Sequence, residues 1–266
     1  MSRMAPLDTR RISFAANEDD MAICGVQGDA YFERVSKTGL VHPFYALALE
    51  SALPWGGLVF DVGANIGATA LAAARLPNCS VVAFEPDPSA FGCLLATIKA
   101  NRASNIDAHQ LAFGAQDGRV AFSADRRSSA GSHVATRATL ARTAEVMVPV
   151  TTIDRFVARH PNEAIDLIKI DAPGSELDII AGAMRTIKSM RPSVLVEFNA
   201  FTLTSFRNVN PRQALETLHR IFPYLYCLRD REPEHIRTEQ DMLRFFYELF
   251  TRNHGVEDLL GTFRKL

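Results

Sequence analysis

A doubly wound α/β fold, with a mainly parallel sheet covered by helices on both faces, follows from three observations on the sequence. Short apolar runs alternate with helical patterns from about residue 58 to residue 228, with short connections between them. A glycine turn, Asp61-Val62-Gly63-Ala64-Asn65-Ile66-Gly67, stands where the first strand of that series passes into its first helix. An acid, Glu85, ends the next strand.

Residues 1–54 are weakly periodic and end in the helix-like FYALALESAL before a Pro-Trp-Gly-Gly break at 54–57. LVFDVG (58–63) reads as a short apolar strand, and IGATALAAARL (66–76) as an Ala-rich helix stopped by Pro77-Asn78. SVVAFE (80–85) is a second strand. Asp87 and Pro88 then take the cap and first-turn positions of a helix whose Phe91, Leu94, Leu95 and Ile98 recur at helical spacing. IDAHQLAF (106–113) reads as a third strand, and the Ser-, Ala-, Thr- and Arg-rich stretch 123–145 as a long loop or exposed polar lobe.

VMVPV (146–150) resumes strand character and TTIDRFVARH forms a short helix. IDLIKID (165–171) has the continuous apolar run of a strand covered on both faces. LDIIAGAMRTIKSM follows as one helix, SVLVEF (193–198) as a buried strand, Asn210-Pro211 as a helix start and YLYCL (224–228) as a strand. LRFFYELF suits a helix or an edge strand equally. The expected division is an N-terminal segment flanking the site (1–55), a ligand-binding domain (56–230) and a helical or edge-strand extension (231–266).

Composition narrows the function classes. The chain has 266 residues, 47% of them hydrophobic and 22% charged, which is the balance of a globular protein with a substantial core. With 29 Lys+Arg against 30 Asp+Glu, its net charge of -1 gives no basis for a nucleic-acid partner or a membrane surface. The first twenty residues lack an apolar signal core, and no apolar run is long enough to span a bilayer, so a cytoplasmic location is expected. Cys24, Cys79, Cys93 and Cys227 are scattered without metal-ligand spacing, so buried thiols and no metal site are expected. A homo-oligomer is compatible with the sequence but not required by it.

The glycine turn lies where doubly wound sheets bind their ligand. Gly63 permits a sharp turn and close approach, and Gly67 lets the helix pack tightly. Glu85, 24 residues beyond Asp61, sits where an acid can accept both hydroxyls of a ribose. The two features together indicate an adenosine-type ligand. The spacing is Asp-x-Gly-x-x-x-Gly rather than the dinucleotide pattern, and Asp61 would repel a pyrophosphate. It suits a ligand with a cationic amino group, such as S-adenosylmethionine.

The motifs VFDVGANIG (59–67), AFEPDPSAF (83–91), TTID (151–154), DLIKIDAPGSELDIIAGA (166–183) and P-x-VLVE (192–197) resemble those of the FkbM-type methyltransferases across roughly residues 40 to 200. The resemblance implies a Rossmann-like class I methyltransferase fold and S-adenosylmethionine-dependent O-methylation. The acceptors it implies are hydroxyls of sugars, secondary metabolites or glycans. It assigns donor binding to Asp61, Gly63, Asn65, Gly67 and Glu85, with Ala64 and Pro86 inside the same two motifs. The chain departs from the family where D-V-E-G-x-E becomes Asp171-Ala172-Pro173-Gly174-Ser175-Glu176. Pro173 removes an acid and a backbone donor, which opens the alternative of a donor-binding but inactive interaction subunit. A nicotinamide-dependent oxidoreductase shares the fold but fails on glycine spacing.

Methyl transfer from a sulfonium needs acceptor, methyl and sulfur in line, and an alcohol acceptor must also lose a proton. The candidate bases are Asp171 and Glu197 at strand ends, His133 in the Ser/Gly loop, and His42. Phe44 and Tyr45 are candidate pocket residues, Arg126 and Arg127 readers of an anionic acceptor, and Phe245, Phe246 and Phe250 core or a subunit contact.

Overall fold

The structure is a computed structural model that describes residues 7–14, 17–39, 44–123, 125, 127–134, 145–160, 164–229 and 232–266. An antiparallel hairpin, β1 (Leu7–Phe14) and β2 (Asn17–Val26), leads into helices α1 (Ala30–Thr38) and α2 (Tyr45–Ala52). Asp29 caps α1 by accepting the Phe32 N–H, and Gly39 closes it in the left-handed conformation.

The alternating series then unfolds much as its periodicity predicts: β3 (Gly57–Val62), α3 (Ala68–Ala74), β4 (Cys79–Phe84), α4 (Pro88–Asn101) and β5 (Ile106–His109). Asp87 caps α4 through Ser89 and Ala90, with Pro88 in the first turn. Helix α3 opens two residues later than its Ala-rich pattern suggests, because Asn65 and Gly67 both take left-handed backbone conformations.

The run expected as one strand at 106–113 divides, its second half forming β6 (Ala112–Phe113) in a separate small sheet. That sheet also holds β7 (Gly118–Ser123), β8 (His133–Val134) and β9 (Glu145–Thr151), in the order β6-β9-β7-β8. The described part of the polar stretch 123–145 is therefore built against a sheet, with a 3-10 turn at Ser129–Gly131.

After α5 (Ile153–Arg159) and β10 (Ile165–Ile170) come α6 (Glu176–Ala181) and α7 (Met184–Met190), two helices where one was expected. The break has a tertiary cause. The Gly182 carbonyl accepts the Asp154 N–H at 3.0 Å, and the Asp154 carboxylate accepts the Arg185 and Thr186 N–H groups at 3.0 and 2.7 Å. Asp154 thus caps α7 from another helix.

The chain finishes with β11 (Ser193–Asn199), α8 (Ala200–Arg207), α9 (Pro211–Ile221), β12 (Tyr224–Cys227), β13 (Glu234–His235), α10 (Glu239–Thr251) and β14 (Val256–Thr262). LRFFYELF is helical, within α10. The central sheet runs β13-β12-β14-β11-β10-β3-β4-β5; β11 to β5 are parallel, and β14 pairs antiparallel with both β11 and β12. It is the doubly wound α/β arrangement, with one apolar cluster on each face. All four cysteines are buried and free. No helix among the described residues is long and apolar enough to cross a membrane.

Candidate functional site

Side chains alternate along a strand, so the parity of Val59, Val81, Leu167, Leu195 and Leu260 marks one apolar face of the sheet. Continuing that parity toward the carboxyl ends of the parallel strands gives Asp61, Glu85, Lys169, Asp171 and Glu197, with Asp258 opposite Glu197 on β14. One face is therefore apolar at its base and charged at its upper rim. A cleft opens there, with a cavity volume of about 150 Å³.

The glycine turn forms one side of the cleft. Gly63 donates its N–H to the Phe84 carbonyl at 3.0 Å. A Cβ on Gly63 would lie 1.8 Å from the Asp171 carbonyl oxygen, so this glycine is required by the neighbouring backbone, at φ +80°. Glu85 accepts the Asn65 N–H at 2.9 Å and the Asp87 N–H at 2.8 Å, which aligns the turn with the end of β4. Burial pushes the Glu85 carboxyl up to about 8, opposed by those two N–H bonds. The Asn65 Oδ1 is buried with no hydrogen-bond partner among the described residues, and Asn65, Glu85 and Pro86 all border the cleft.

Asp61 is placed differently from its neighbours. It is 0% exposed and does not border the cleft. The Thr69 hydroxyl donates to its Oδ2 at 2.5 Å, and Lys169 Nζ lies 3.0 Å from its Oδ1. The ammonium is also 3.6 Å from Asp171 and donates to the Gly63 carbonyl at 3.4 Å. Although burial disfavours the charge of Lys169, Asp61 and then Asp171 outweigh it and raise the pKa above the ordinary lysine value. Asp61 therefore anchors a buried ion pair beneath the turn. Ala64 and Gly67, both beside the turn, do not border the cleft either.

Of the other expected site residues, Asp171, His133 and Glu197 all border the same cleft. His133 arrives through tertiary contacts. Asp29, besides capping α1, accepts the Ser129 N–H at 2.6 Å, and the Ala30 N–H donates to the Arg127 carbonyl at 2.8 Å. These bonds tie the Ser129–Gly131 turn to the start of α1. His133 stacks on Phe206 at 4.2 Å between ring centroids, and its Nδ1 lies 2.9 Å from the Gly131 carbonyl. A carbonyl only accepts, so this contact assigns a proton to Nδ1, and in the neutral ring the lone pair is then on Nε2. Nε2 is buried and has no hydrogen-bond partner among the described residues.

Pro173, in the departure from the expected acidic motif, borders the cleft as well. Its loop is held by Arg207, which donates to the Gly174 carbonyl at 2.8 Å and the Ser175 hydroxyl at 2.9 Å. Glu176 behind it is 3% exposed. Burial, and after it the charges of Glu197 and Asp171, holds its carboxyl well above the usual carboxylate range. Tyr45 lines the cleft, whereas Phe44 packs on the core. His42 and Arg126 lie outside the described residues, and Arg127 is exposed. Phe245 is core and Phe250 is exposed.

Sequence reasoning missed Lys169, Tyr31 and Asp258, all of which border the cleft. Lys169 carried a signal: a lysine in a doubly covered strand has to be paired, and Asp61 holds the same parity on the adjacent strand. Asp258 carried none, because β14 was not recognised as a strand.

The sequence model of one protein family, described as the methyltransferase FkbM domain, matches residues 61–241. A "Methyltransferase 1" of Beauveria bassiana (strain ARSEF 2860) is 27% identical over 147 residues. The 31-O-demethyl-FK506 methyltransferase FkbM of Streptomyces tacrolimicus is 32% identical over 154 residues. Each match covers 48% of this chain and 59% of the relative, so the chain spans about three fifths of the length of these relatives. The crystal structure of methyltransferase FkbM from Methylobacillus flagellatus KT shares the fold, with a TM-score of 0.50 at 19% identity over 83% of this chain and 48% of that one.

Proposed function

Because this chain belongs to the FkbM methyltransferase family, we propose that it is an S-adenosylmethionine-dependent methyltransferase acting on a hydroxyl of a small metabolite, sugar or glycan. The donor supplies a methyl group on a sulfonium, whose leaving group is neutral. Asn65 and Glu85 fit its nucleoside end. Asn65 Oδ1 is a buried acceptor lacking a partner among the described residues, and the Glu85 oxygens retain lone pairs beyond their two backbone bonds. The Gly63 turn and the Lys169–Asp61 pair set the backbone under the centre of the cleft.

One observation supports the transfer to oxygen: the buried His133 Nε2, which in the neutral ring carries the lone pair, has no partner among the described residues, and the ring is fixed in the cleft wall by Gly131 and Phe206. A hydroxyl bound there gives its proton to Nε2 as the new carbon–oxygen bond forms. Asp171 is less suited to that role because Lys169 already draws on its negative charge. The name of the Streptomyces tacrolimicus relative, a 31-O-demethyl-FK506 methyltransferase, is in keeping with an oxygen acceptor.

Calorimetric titration with S-adenosylmethionine, followed by methyl-release assays on hydroxylated acceptors, tests the proposal. His133→Ala is expected to keep donor affinity while lowering kcat by about 10²–10⁴-fold. An unchanged kcat removes His133 as the base. Donor binding without turnover on any acceptor would favour the inactive-subunit alternative raised by Pro173.

A further inference from the structure

We propose that Arg34 and Asp171 hold the two charged ends of the methyl donor's α-amino-acid group, the guanidinium taking its carboxylate and the aspartate its ammonium, an inference that rests on the methyltransferase reading. Both residues border the cleft. Arg34 belongs to α1, ahead of residues 61–241 that the family model matches, so the donor site would be completed by the N-terminal segment.

The ammonium comes first. The glycine spacing points to a ligand with a cationic amino group, yet the Asp61 carboxylate is fully enclosed and does not border the cleft. Asp171 shares Lys169 with it, and its side chain is 41% exposed. Two carboxylates against one ammonium leave a net negative charge on this cluster, and its exposed member is Asp171. Lys169 is the one partner of the Asp171 carboxylate among the described residues, and a carboxylate offers about four lone-pair positions, so acceptor capacity remains for a ligand.

The carboxylate needs a cation with donors to spare. Lys169 is not that cation, because oxygens of Asp61, Asp171 and Gly63 already surround its ammonium. Arg34 is the other lysine or arginine among the described lining residues. It shares a face of α1 with Tyr31, three residues earlier, and its guanidinium carbon lies 5.1 Å from the centre of that ring, which steadies the fork. The acids of α1 and its cap are engaged elsewhere. Glu33 takes both arms of Arg10 at 2.7 and 2.9 Å, and Asp29 accepts the Phe32 and Ser129 N–H groups. Arg34 is therefore left without a carboxylate partner among the described residues. Its helix is held over the cleft by the bond from the Ala30 N–H to the Arg127 carbonyl at 2.8 Å.

Tyr31 relates the two charges. It borders the same cleft, and after burial the charge of Asp171 pushes its phenol up while Lys169 and Arg34 oppose it. A positive fork and an exposed carboxylate around one tyrosine match a zwitterion. A purely cationic ligand would leave Arg34 unpaired, and a dianion would meet Asp171. The distance to the nucleoside end also fits one molecule. Asp171 follows β10 and Glu85 follows β4, with β3 between them, so two strand spacings separate them, about 10 Å at ~4.8 Å each. The short thioether chain from ribose to α-carbon, with the reach of the side chains, bridges that span.

The test is a binding measurement that needs no acceptor. The protein is titrated by calorimetry with S-adenosylhomocysteine, its decarboxylated and deaminated counterparts, and 5′-methylthioadenosine, which lacks the amino-acid end. On the unmutated protein, removing the carboxylate or the ammonium is expected to weaken binding by about 10–100-fold each. Arg34→Ala is expected to weaken S-adenosylhomocysteine by a similar factor and to bind the decarboxylated compound within about twofold of the wild type. Asp171→Asn should show the complementary pattern, with a loss for S-adenosylhomocysteine and none for the deaminated compound. The proposal is overturned if Arg34→Ala binds S-adenosylhomocysteine as the wild type does, or if either variant weakens its truncated counterpart equally. It is also overturned if methylthioadenosine binds the wild type as tightly as S-adenosylhomocysteine, a result that leaves the nucleoside site standing. Binding of neither compound overturns the methyltransferase reading with it. Arg34 is exposed, so its replacement leaves the core intact, and the truncated compounds on unmutated protein give the answer even if Asp171→Asn fails to fold.

Discussion

Replacing Lys169 by methionine keeps the length of the side chain and removes the charge that Asp61 faces. Asp61 is fully buried, and its remaining contact is the Thr69 hydroxyl at 2.5 Å, so Lys169→Met leaves a carboxylate in the core with one neutral donor. Removing one member of a buried pair costs ~3–5 kcal/mol, because the other keeps its desolvation penalty and loses its counter-charge. At roughly 2–4 °C of Tm per kcal/mol for a chain of this size, the melting temperature should fall by about 6–20 °C. Urea unfolding and thermal melts at pH 7 measure the loss. The double variant Lys169→Met/Asp61→Asn should recover at least half of it, since the neutral amide oxygen it introduces can still accept from Thr69. A single-variant loss below ~1 kcal/mol, or a double variant whose loss is the sum of the two singles, refutes the buried-pair account.

Two further predictions concern the glycine turn and the acid beside it. Gly63→Ala puts a methyl group against the Asp171 carbonyl and should abolish folding, whereas Gly28→Ala, at φ +87° with nothing within 4 Å, should cost only the ~1–2 kcal/mol of left-handed strain; equal losses in circular-dichroism melts would show that φ, not close approach, sets the requirement. Glu85 has its native pKa raised to about 8 from 4.5, so the folded state holds a proton that the unfolded state releases between those values. Stability from this group is therefore present at low pH and declines as pH rises through that window, by on the order of 5 kcal/mol. Glu85→Gln should flatten the decline of stability between pH 5 and 8, and an unchanged slope would place the titration elsewhere.

The elements that were legible from sequence share a local cause. The core strands β3, β4, β10 and β11 are short apolar runs bounded by breakers, and α4 begins at an Asp-Pro cap. The elements that were misread depend on distant partners. Helices α6 and α7 have a continuous helical pattern, but Asp154 caps the second from α5. The strand β14 carries two acids in seven residues, and it is a strand because β11 and β12 flank it. The 127–134 segment is polar and featureless until Asp29 fastens it to α1 and puts His133 over the cleft.

Sequence alone determined the doubly wound class, the glycine turn and the strand-end acid, because strand periodicity, capping and φ > 0 are properties of a few consecutive residues. It also held the family motifs from Asp61 onward. Tertiary structure decided what those residues do. Asp61 and Lys169 stand 108 positions apart, and only the parallel register of β3 and β10 makes them neighbours, which turns an expected ligand contact into a buried ion pair. Glu197 and Asp258 become cross-strand neighbours only through the antiparallel return of β14. Charge complementarity in a core is a matter of which strands lie side by side, and strand order is settled by packing over the whole chain.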